Sequence, residues 1–381
     1  MHKTLTLILT IGLCIKYEVR NTKYGIQSTK YEVRNTKYEI QNANNPSYLV
    51  LSTSYLDKGV TLSLYEHYWE NSDSLLQRDI TPTLQRIQAT GFRAVRLPVA
   101  FDLFLQPHSS NLQPALLQKL QEAYTTCSQL HLALVITYHY GKLNDNNGHQ
   151  ERDRILWLWK QVQNSFRNKG YDSLFFELYN EPTLSSANWK RDIGYIVSGL
   201  RYEDTSRYYM IGGANYNSID ELLSMGKLGD EKLWYTFHFY EPYIFTHQGA
   251  SWTKEKTFLQ GLPYPWRSAA MPVNGEATVK GTLVESDYRQ YPSTATREYI
   301  QSRIDRVAQY CKLNQMPLVC TETGVINLAE EQYRNIYLVD VTSIMHSAGI
   351  PIMLWDYNQS FAVTNPQGKP LKSIHKWLRE H

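Results

Sequence analysis

The chain has 381 residues, with 39 Lys+Arg against 36 Asp+Glu and a formal net charge of +3. Hydrophobic residues make up 42% and charged residues 20% of the sequence, which is enough apolar material to bury a sizeable core and excludes wholesale disorder. A charge this close to neutral gives no reason to expect a nucleic-acid partner.

The first predicted element is a short apolar run near the N-terminus. Residues 5–15 follow the basic start His2-Lys3, which is typical of a secretory signal. The run is too short to span a membrane, which takes about 20 apolar residues. We therefore expect residues 1–15 to be a signal peptide and the protein to be secreted or periplasmic. Cys14 is a weak candidate for lipid attachment, because Leu13 before it is not small.

An internal repeat follows, in which a Lys-Tyr pair recurs every seven residues from Lys16 to Lys37. Apolar residues within a unit are two positions apart, as Tyr17 and Val19 are, and this spacing favours a strand over a helix. Short units of this kind bury no core of their own. We expect residues 16–47 to be a low-complexity leader or linker, and residues 48–381 to form the folded domain.

From residue 48 onward, short apolar runs alternate with amphipathic stretches. The predicted strands are residues 59–64, 94–99, 132–138, 174–178, 208–212, 233–239, 317–321 and 351–355. The predicted helices are residues 75–90, 114–130, 152–168, 187–201, 219–225, 295–314, 330–348 and 371–380. This alternation predicts a parallel α/β fold. A single (β/α)8 barrel fits better than a doubly wound sheet, because no glycine-rich phosphate loop follows the first strand.

The active sites of such barrels lie at the C-terminal ends of the strands. Polar and aromatic residues collect there in this sequence, namely Arg96, His139, Asn180, Glu181, His238, Tyr240, Glu322 and Trp355. Glu181 and Glu322 follow the fourth and seventh strands and would face each other across the barrel mouth. Paired carboxylates facing a cleft are what glycoside hydrolysis requires. The aromatic content of 13% suits sugar binding, because ring faces stack on the apolar faces of sugars.

These motifs resemble those of glycoside hydrolase family 5, the (β/α)8 cellulase and mannanase group. The most specific match is the segment LYNEP at residues 178–182. The resemblance implies that Glu181 is the acid/base and that Asn180 holds the 2-hydroxyl of the substrate. The segment TETG at residues 321–324 stands where the family has its nucleophile, which implies that role for Glu322.

The resemblance also implies supporting residues at the other strand ends. The segment VRLPV resembles a motif in which an Arg orients and ionises the nucleophile, and here that residue is Arg96. His139, His238 and Tyr240 stand in family positions on the third and sixth strands. Trp355 corresponds to the platform under the central sugar. An Arg within an apolar run also predicts by itself a buried partner carboxylate with a lowered pKa.

The loop after the sixth strand is long and contains Trp252, a candidate wall of a sugar subsite, and Trp266, a weaker one. Trp69, after the first strand, is a similar candidate. Glu241 is the main competitor of Glu322, because it also follows a strand. Neither the cysteines nor the histidines are spaced like metal ligands, so we expect no metal and no cofactor.

We therefore expect a retaining, endo-acting glycoside hydrolase, with β-1,4-glucan as the substrate that the resemblance implies. A β-mannanase or a β-1,3-glucanase is the alternative on the same scaffold. A non-catalytic carbohydrate-binding barrel and a metal-dependent hydrolase using His139 and His238 are alternatives from other classes. The expected partner is a polysaccharide or oligosaccharide, with no nucleic acid, no membrane span and a monomeric chain.

Overall fold

The computed structural model describes residues 4–9, 13–22, 25–33, 56–253, 259–365 and 367–380. It contains two compact units, Met1–Leu51 and Ser52–His381. The described part of the first unit is an antiparallel sheet of three strands, β1 (Thr4–Leu9), β2 (Leu13–Thr22) and β3 (Gly25–Val33).

This small sheet pairs one part of the repeat with another. The register of β2 and β3 places Lys16 opposite Glu32 and Glu18 opposite Lys30. Strands occupy much of the repeat, in agreement with its alternating pattern. The division of residues 1–47 into a signal peptide and a leader stays a prediction. Its boundary at residue 48 falls outside the described residues.

The second unit contains the predicted barrel. Its eight parallel strands close in the order β10-β11-β4-β5-β6-β7-β8-β9. The strands are β4 (Gly59–Thr61), β5 (Ala94–Val99), β6 (Ala133–Tyr138), β7 (Leu174–Glu177), β8 (Tyr209–Gly212), β9 (Leu233–Phe239), β10 (Leu318–Thr323) and β11 (Ile352–Leu354). Every residue of these strands is buried, as expected for strands packed on both faces. The predicted (β/α)8 fold is confirmed.

Helices surround the barrel and connect its strands. They are α1 (Ser72–Leu76), α2 (Thr81–Thr90), α3 (Pro114–Gln129), α4 (Gly148–Ser165), α5 (Ser186–Arg201), α6 (Ala214–Asn217), α7 (Ile219–Met225), α8 (Tyr243–Thr246), α9 (Gly275–Val279), α10 (Glu285–Thr294), α11 (Arg297–Leu313), α12 (Glu331–Ser347) and α13 (Lys372–Arg379), with 3₁₀ turns at Phe101–Phe104 and Ser268–Ala270. Within the ranges described, none of them has the length and apolar character that a membrane crossing would need.

The structure differs from the predicted elements most clearly in three places. The helix predicted over residues 75–90 is two helices, because Pro82 lacks an amide hydrogen and fits only the first turn of α2. The seventh barrel strand continues to Thr323, so Glu322 lies within β10 and not after it. The long loop after β9 contains α8, α9 and α10, where the sequence showed no strong periodicity.

The last residue of the TETG segment explains how the ends of β10 and β11 come together. A Cβ on Gly324 would collide with the main-chain carbonyl of Trp355, so only glycine allows this approach. The amide of Trp355 donates to the carbonyl oxygen of Thr323 at 2.9 Å. Glu322 and Trp355 are thereby held at adjacent strand ends.

Candidate active site

A buried guanidinium lies at the centre of the polar residues in the barrel mouth. Arg96, on β5, is fully buried. Its Nε donates to Glu177 at 2.6 Å, its Nη1 to Glu322 at 2.6 Å and its Nη2 to the side-chain oxygen of Asn180 at 2.7 Å. One side chain on β5 thus fixes groups from the ends of two other strands, β7 and β10. The buried carboxylate partner predicted for Arg96 is present, but there are two such carboxylates.

Glu177 is the partner that the sequence analysis missed. It is fully buried on β7, and its Oε2 also accepts from the hydroxyl of Thr137 at 2.5 Å. Burial opposes ionisation of Glu177, but the cations Arg96 and His238 and the hydrogen bonds from Arg96 and Thr137 together outweigh it, so the pKa of this carboxyl lies below its ordinary value. The sequence signal that could have identified Glu177 was an acidic residue within the apolar run LFFEL, since a buried charge requires a partner.

Both carboxylate oxygens of Glu322 are held by donors. Oε1 accepts from Arg96, and Oε2 accepts from the hydroxyl of Tyr240 at 3.0 Å. Burial raises the pKa of Glu322, and the neighbouring cations His238 and Arg96 oppose this without cancelling it. Arg96 acts in the direction that the sequence predicted, but its effect is smaller than that of burial.

Glu181 lies opposite Glu322 and is more open to solvent. Its side chain is 32% exposed, against 6% for Glu322. One oxygen of each carboxylate and one ring nitrogen of His238 lie within 4.8 Å of one another. His238 Nδ1 is 2.8 Å from Glu181 Oε1 and 3.6 Å from Glu322 Oε2.

The position of His238 makes it a proton partner of Glu181. Burial lowers the pKa of His238, but Glu322 and Glu181 outweigh it, so the pKa lies above its ordinary value. A hydrogen bond between His238 Nδ1 and Glu181 Oε1 contains one proton, which either group can hold. His238 Nε2 is buried and has no partner among the described residues.

His139 and Trp355 form an aromatic floor beside the two glutamates. Their rings are stacked with centroids 5.6 Å apart and planes 15° apart. Burial and the nearby Arg96 hold the pKa of His139 well below its ordinary value, so its ring is neutral. Its Nδ1 is buried without a hydrogen-bond partner in the described ranges, and its Nε2 lies 3.5 Å from the amide nitrogen of Asn180.

Two of the remaining tryptophan candidates lie in different environments. Trp252 is 57% exposed, and its ring centroid is 6.4 Å from that of Phe361, which belongs to a small apolar cluster with Tyr240 and Trp355 beside it. Trp266 is partly buried against the main core. The structure therefore places Trp252 beside the mouth and gives Trp266 a packing role.

Glu241, the carboxylate that competed with Glu322 in the sequence, is hydrogen-bonded to an outer helix. It accepts from Arg303 at 2.8 Å and from the hydroxyl of Tyr299 at 2.7 Å, both on α11. Arg303 is bound in turn to Asp220 at 2.8 Å. These contacts connect the end of β9 to an outer helix, so Glu241 is a structural residue.

Two further buried carboxyls near the mouth were not predicted. Burial raises the pKa of Glu66 to about 7, although it accepts a hydrogen bond from the amide of Leu64 at 2.7 Å. Burial also raises the pKa of Asp356 to about 6, although it accepts from the amides of Gln359 and Phe361. Glu66 follows the barrel strand β4, and Asp356 follows β11. An acidic residue after a barrel strand was the sequence signal that could have identified them.

A sequence model described as Cellulase (glycosyl hydrolase family 5) matches residues 56–361 of this chain. The chain belongs to glycosyl hydrolase family 5. The match includes all eight barrel strands and every residue that the sequence analysis placed at the site.

Relatives in this family are similar along most of the chain. Endoglucanase 3 of Fibrobacter succinogenes is 27% identical over 350 residues, which are 85% of this chain and 52% of that protein. Endoglucanase C of Acetivibrio thermocellus is 26% identical over 307 residues, which are 76% of this chain and 87% of that protein. The chain thus spans about half the length of the first of these relatives and most of the second.

Solved family 5 structures have the same fold. The endoglucanase of the hyperthermophilic Thermotoga maritima superimposes with a TM-score of 0.72 at 20% identity, covering 87% of this chain and 99% of that one. A hyperthermophilic endo-β-1,4-glucanase in complex with substrate gives the same TM-score of 0.72 at 20% identity and covers 87% and 98% of the two chains.

Glu66 provides a test of these electrostatics through folding stability. Its pKa is about 7 in the folded protein, against an ordinary value of 4.5. The folded state therefore binds this proton more tightly than the unfolded state, and stability is lost as the pH rises through 7. We expect wild type to lose up to about 3 kcal/mol of unfolding free energy between pH 4.5 and pH 8 through this group, and Glu66→Gln to lose less.

Urea denaturation at several pH values measures this difference. Glu276→Gln, at an exposed position, is the matched control and should follow the wild-type pH dependence. Parallel pH profiles of wild type and Glu66→Gln would contradict a neutral Glu66 in the folded protein.

Proposed function

We propose that this protein hydrolyses internal β-1,4 linkages of a glucan and retains the anomeric configuration. The observation that carries the mechanism is the distance of at most 4.8 Å between oxygens of Glu181 and Glu322. Retaining glycosidases place their carboxyl groups about 5–5.5 Å apart, whereas inverting enzymes leave about 6.5–9.5 Å for a water. The endoglucanase names of the family 5 relatives support the substrate and the endo-acting mode.

The environments of the two glutamates favour different roles. Glu322 is almost fully buried and is fixed through both oxygens, which suits a nucleophile that must be aimed at one carbon atom. Glu181 is exposed enough to reach a leaving group and later a water. It also shares a proton with His238, as a general acid requires.

The reaction then has two displacements. Glu322 attacks the anomeric carbon, the bond from that carbon to the glycosidic oxygen breaks, and Glu181 gives its proton to the departing oxygen. Glu181, now a carboxylate, takes a proton from a water as this water attacks the same carbon. The bond to Glu322 breaks, and both carboxyls return to their starting states.

The residues around the glutamates supply the binding energy. We assign Trp355 as the platform under the sugar at the cleaved bond, since its ring is fixed against His139. His139 Nδ1, which has no partner within the described part of the chain, and the amide of Asn180 suit sugar hydroxyls. Tyr240 orients Glu322, and the exposed Trp252 is a wall on the side of the β9 loop.

A metal-dependent hydrolysis is the second candidate, because the ligand atoms of Glu181, His238 and Glu322 are near enough to share one ion. His139, which the sequence alternative paired with His238, does not belong to this set. Activity that persists after dialysis against a chelator favours the two-displacement reaction. Loss of activity that added divalent cation restores favours the metal.

We also propose that residues 48–381 are the catalytic domain and that residues 1–15 direct export. The basic start and the apolar run in residues 1–15 support export, and the family 5 match at residues 56–361 supports the catalytic domain. The proposed substrate is a polymer that cannot enter a cell, so a secreted or periplasmic location is consistent with it. Residues 16–47 would be the leader between the two.

The substrate is tested by measuring reducing ends released from a panel of soluble polysaccharides. We expect β-1,4-glucan to be cleaved faster than β-mannan or β-1,3-glucan, with a rapid fall in viscosity from internal cuts. A higher rate on mannan or β-1,3-glucan would replace the substrate and leave the mechanism in place. No cleavage of any polymer, together with retained binding, would favour a non-catalytic carbohydrate-binding barrel.

The roles of the glutamates are tested by alanine variants with azide. Glu322→Ala should lower turnover by about a thousandfold or more, because no other group can attack the anomeric carbon. Azide should restore part of the activity of Glu322→Ala and give an α-glycosyl azide. With Glu181→Ala and an activated substrate, azide should give the β-glycosyl azide. Glu241→Gln is the control and should keep most of the activity; interchanged azide products would reverse the two assignments.

Glu177 is tested as a positioning residue through the pH profile. Glu177→Gln removes a negative charge that raises the pKa of Glu322 and leaves Arg96 with one fewer anion. We expect a loss of turnover of about tenfold or more and an acidic limb of the profile that moves to lower pH. Thr137→Val, which removes a hydrogen bond to Glu177 without a charge, should leave this limb in place. An unmoved limb in Glu177→Gln would limit Glu177 to a structural role.

A further inference from the structure

A polar cavity of about 690 Å³ lies beside the segments that follow β10 and β11. Its lining comes from the start of α12, from the segment between β11 and α13, and from Arg86 on α2. We call this space the side cavity. Among the described residues that line it, none takes part in the proposed reaction. Cavities of about 300–1,000 Å³ hold small-molecule ligands, so the side cavity has room for more than a bare ion.

The side cavity contains a buried cation. Arg334, on α12, lines it and is only 7% exposed. Its Nε donates to the main-chain oxygen of Val325 at 3.3 Å, and its Nη2 donates to that of Ala362 at 2.7 Å. Its Nη1 makes no hydrogen bond with the part of the chain that the structure describes. A buried guanidinium requires a compensating anion, and the acceptors of this one are neutral oxygens.

The acidic groups near Arg334 do not supply that anion at hydrogen-bond distance. Glu331 and Asp356 favour the charged form of Arg334, but burial outweighs them, so the pKa of Arg334 lies below its ordinary value. Neither forms an ion pair with Arg334 in the described ranges, and Asp356 accepts instead from the amides of Gln359 and Phe361. An anion that enters the side cavity would compensate the charge of Arg334.

Arg86 brings a second cation to the same space. It is exposed on α2, and its Nη2 donates to the hydroxyl of Thr83 at 3.0 Å. It makes no ion pair with any carboxylate whose position the structure gives. The described lining thus has two cations against one anion, Glu331. Guanidinium groups bind carboxylates through two parallel hydrogen bonds, so the charge of the side cavity favours a carboxylate ligand.

The amide side chains of the lining suit hydroxyl groups. Asn358, Gln359 and Gln367 are exposed and line the side cavity together with the two arginines. An amide side chain both donates and accepts, so it can bind a hydroxyl in either direction. A bare inorganic anion would leave these amides and most of the volume unused. A ligand that fits the whole lining has one carboxylate and several hydroxyls, as an acidic sugar has.

We propose that the side cavity binds a uronic acid, either free or as a unit of an acidic polysaccharide. Its carboxylate would lie against Arg86 and Arg334, and its hydroxyls would meet the amides of Asn358, Gln359 and Gln367. This site is independent of the proposed function, because it needs neither Glu181 nor Glu322. The protein would then hold an acidic sugar on its side while the barrel mouth cuts a neutral chain.

The test titrates D-glucuronate into the full-length protein by calorimetry, with D-glucose and acetate as probes of the hydroxyls alone and the carboxylate alone. We expect glucuronate to bind at least about tenfold more tightly than either probe, and more weakly as the salt concentration rises. Arg86→Ala should weaken this binding by about tenfold, because charged donors are lost. Arg86→Lys, which keeps the charge without the planar fork, should recover part of the loss. Arg86 is the position to change, because Arg334 also holds the main chain in place.

Arg167→Ala is the matched control. Arg167 is exposed on the segment after α4, and its Nη2 donates to the side chain three residues earlier, at 2.9 Å, as that of Arg86 does. This variant should bind glucuronate as wild type does, and both alanine variants should cleave neutral glucan at the wild-type rate. Electrophoresis through a gel that contains polygalacturonate separates the two sources of the ligand. Retardation of wild type but not of Arg86→Ala assigns units of a chain, and binding of glucuronate without retardation assigns the free acid.

Three results would overturn the site. Glucose or acetate that binds as tightly as glucuronate would exclude an acidic sugar as the ligand. Equal affinity of Arg86→Ala and wild type for glucuronate would exclude the side cavity as the place of binding. Loss of glucuronate binding in the presence of saturating β-1,4-linked glucose trisaccharide would place the ligand in the barrel mouth. A protein that binds glucuronate but cleaves no glucan would overturn the proposed function and leave this site intact.

Discussion

The site depends on one constraint, which is that the guanidinium of Arg96 is charged and completely out of water. Such a charge is tolerated only when partners compensate it within hydrogen-bond distance. Arg96 meets this need with Glu177 and Asn180 from the end of β7 and with Glu322 from the end of β10. Closing the barrel therefore brings the polar groups of the mouth into one network. The positions of Glu177, Glu322 and Asn180 follow from the need of the Arg96 cation for hydrogen-bond acceptors.

The charges within this network explain why the pKa of Glu177 lies below its ordinary value and that of Glu322 above it. Glu177 and Arg96 form a buried pair without net charge, which leaves Glu322 as a further anion. Burial and the nearby Glu181 and Glu177 raise the pKa of Glu322, and the cations His238 and Arg96 oppose this without cancelling it. His238 lies within reach of both glutamates, with its Nδ1 2.8 Å from Glu181 Oε1 and 3.6 Å from Glu322 Oε2. The arrangement suits the proposed division of roles, with Glu322 as the nucleophile and Glu181 as the acid/base.

The sequence was most informative about the site where a residue's type and its position along a strand together indicated its role. All eight strands could be predicted, because buried parallel strands read as apolar runs, and Glu181, Glu322 and Arg96 followed from their places at strand ends. Glu177 was missed because it lies inside an apolar run, where only its contact with Arg96 reveals its role. Glu66 and Asp356 were missed for another reason: their pKa values depend on the depth of burial, which no local pattern encodes.

The mouth also combines a buried polar network with an aromatic stack, and one residue takes part in both. The network around Arg96 fixes charged groups from different strands, so it is buried and rich in hydrogen bonds. The stack of His139 and Trp355 carries no charge, which suits the proposed glucan better than a charged surface would. His139 belongs to both, because its Nε2 lies near the amide of Asn180 and its ring stacks on Trp355. A rotation of this one ring would disturb the polar network and the stack together, which is a physical reason for its burial, with only 4% of the residue exposed.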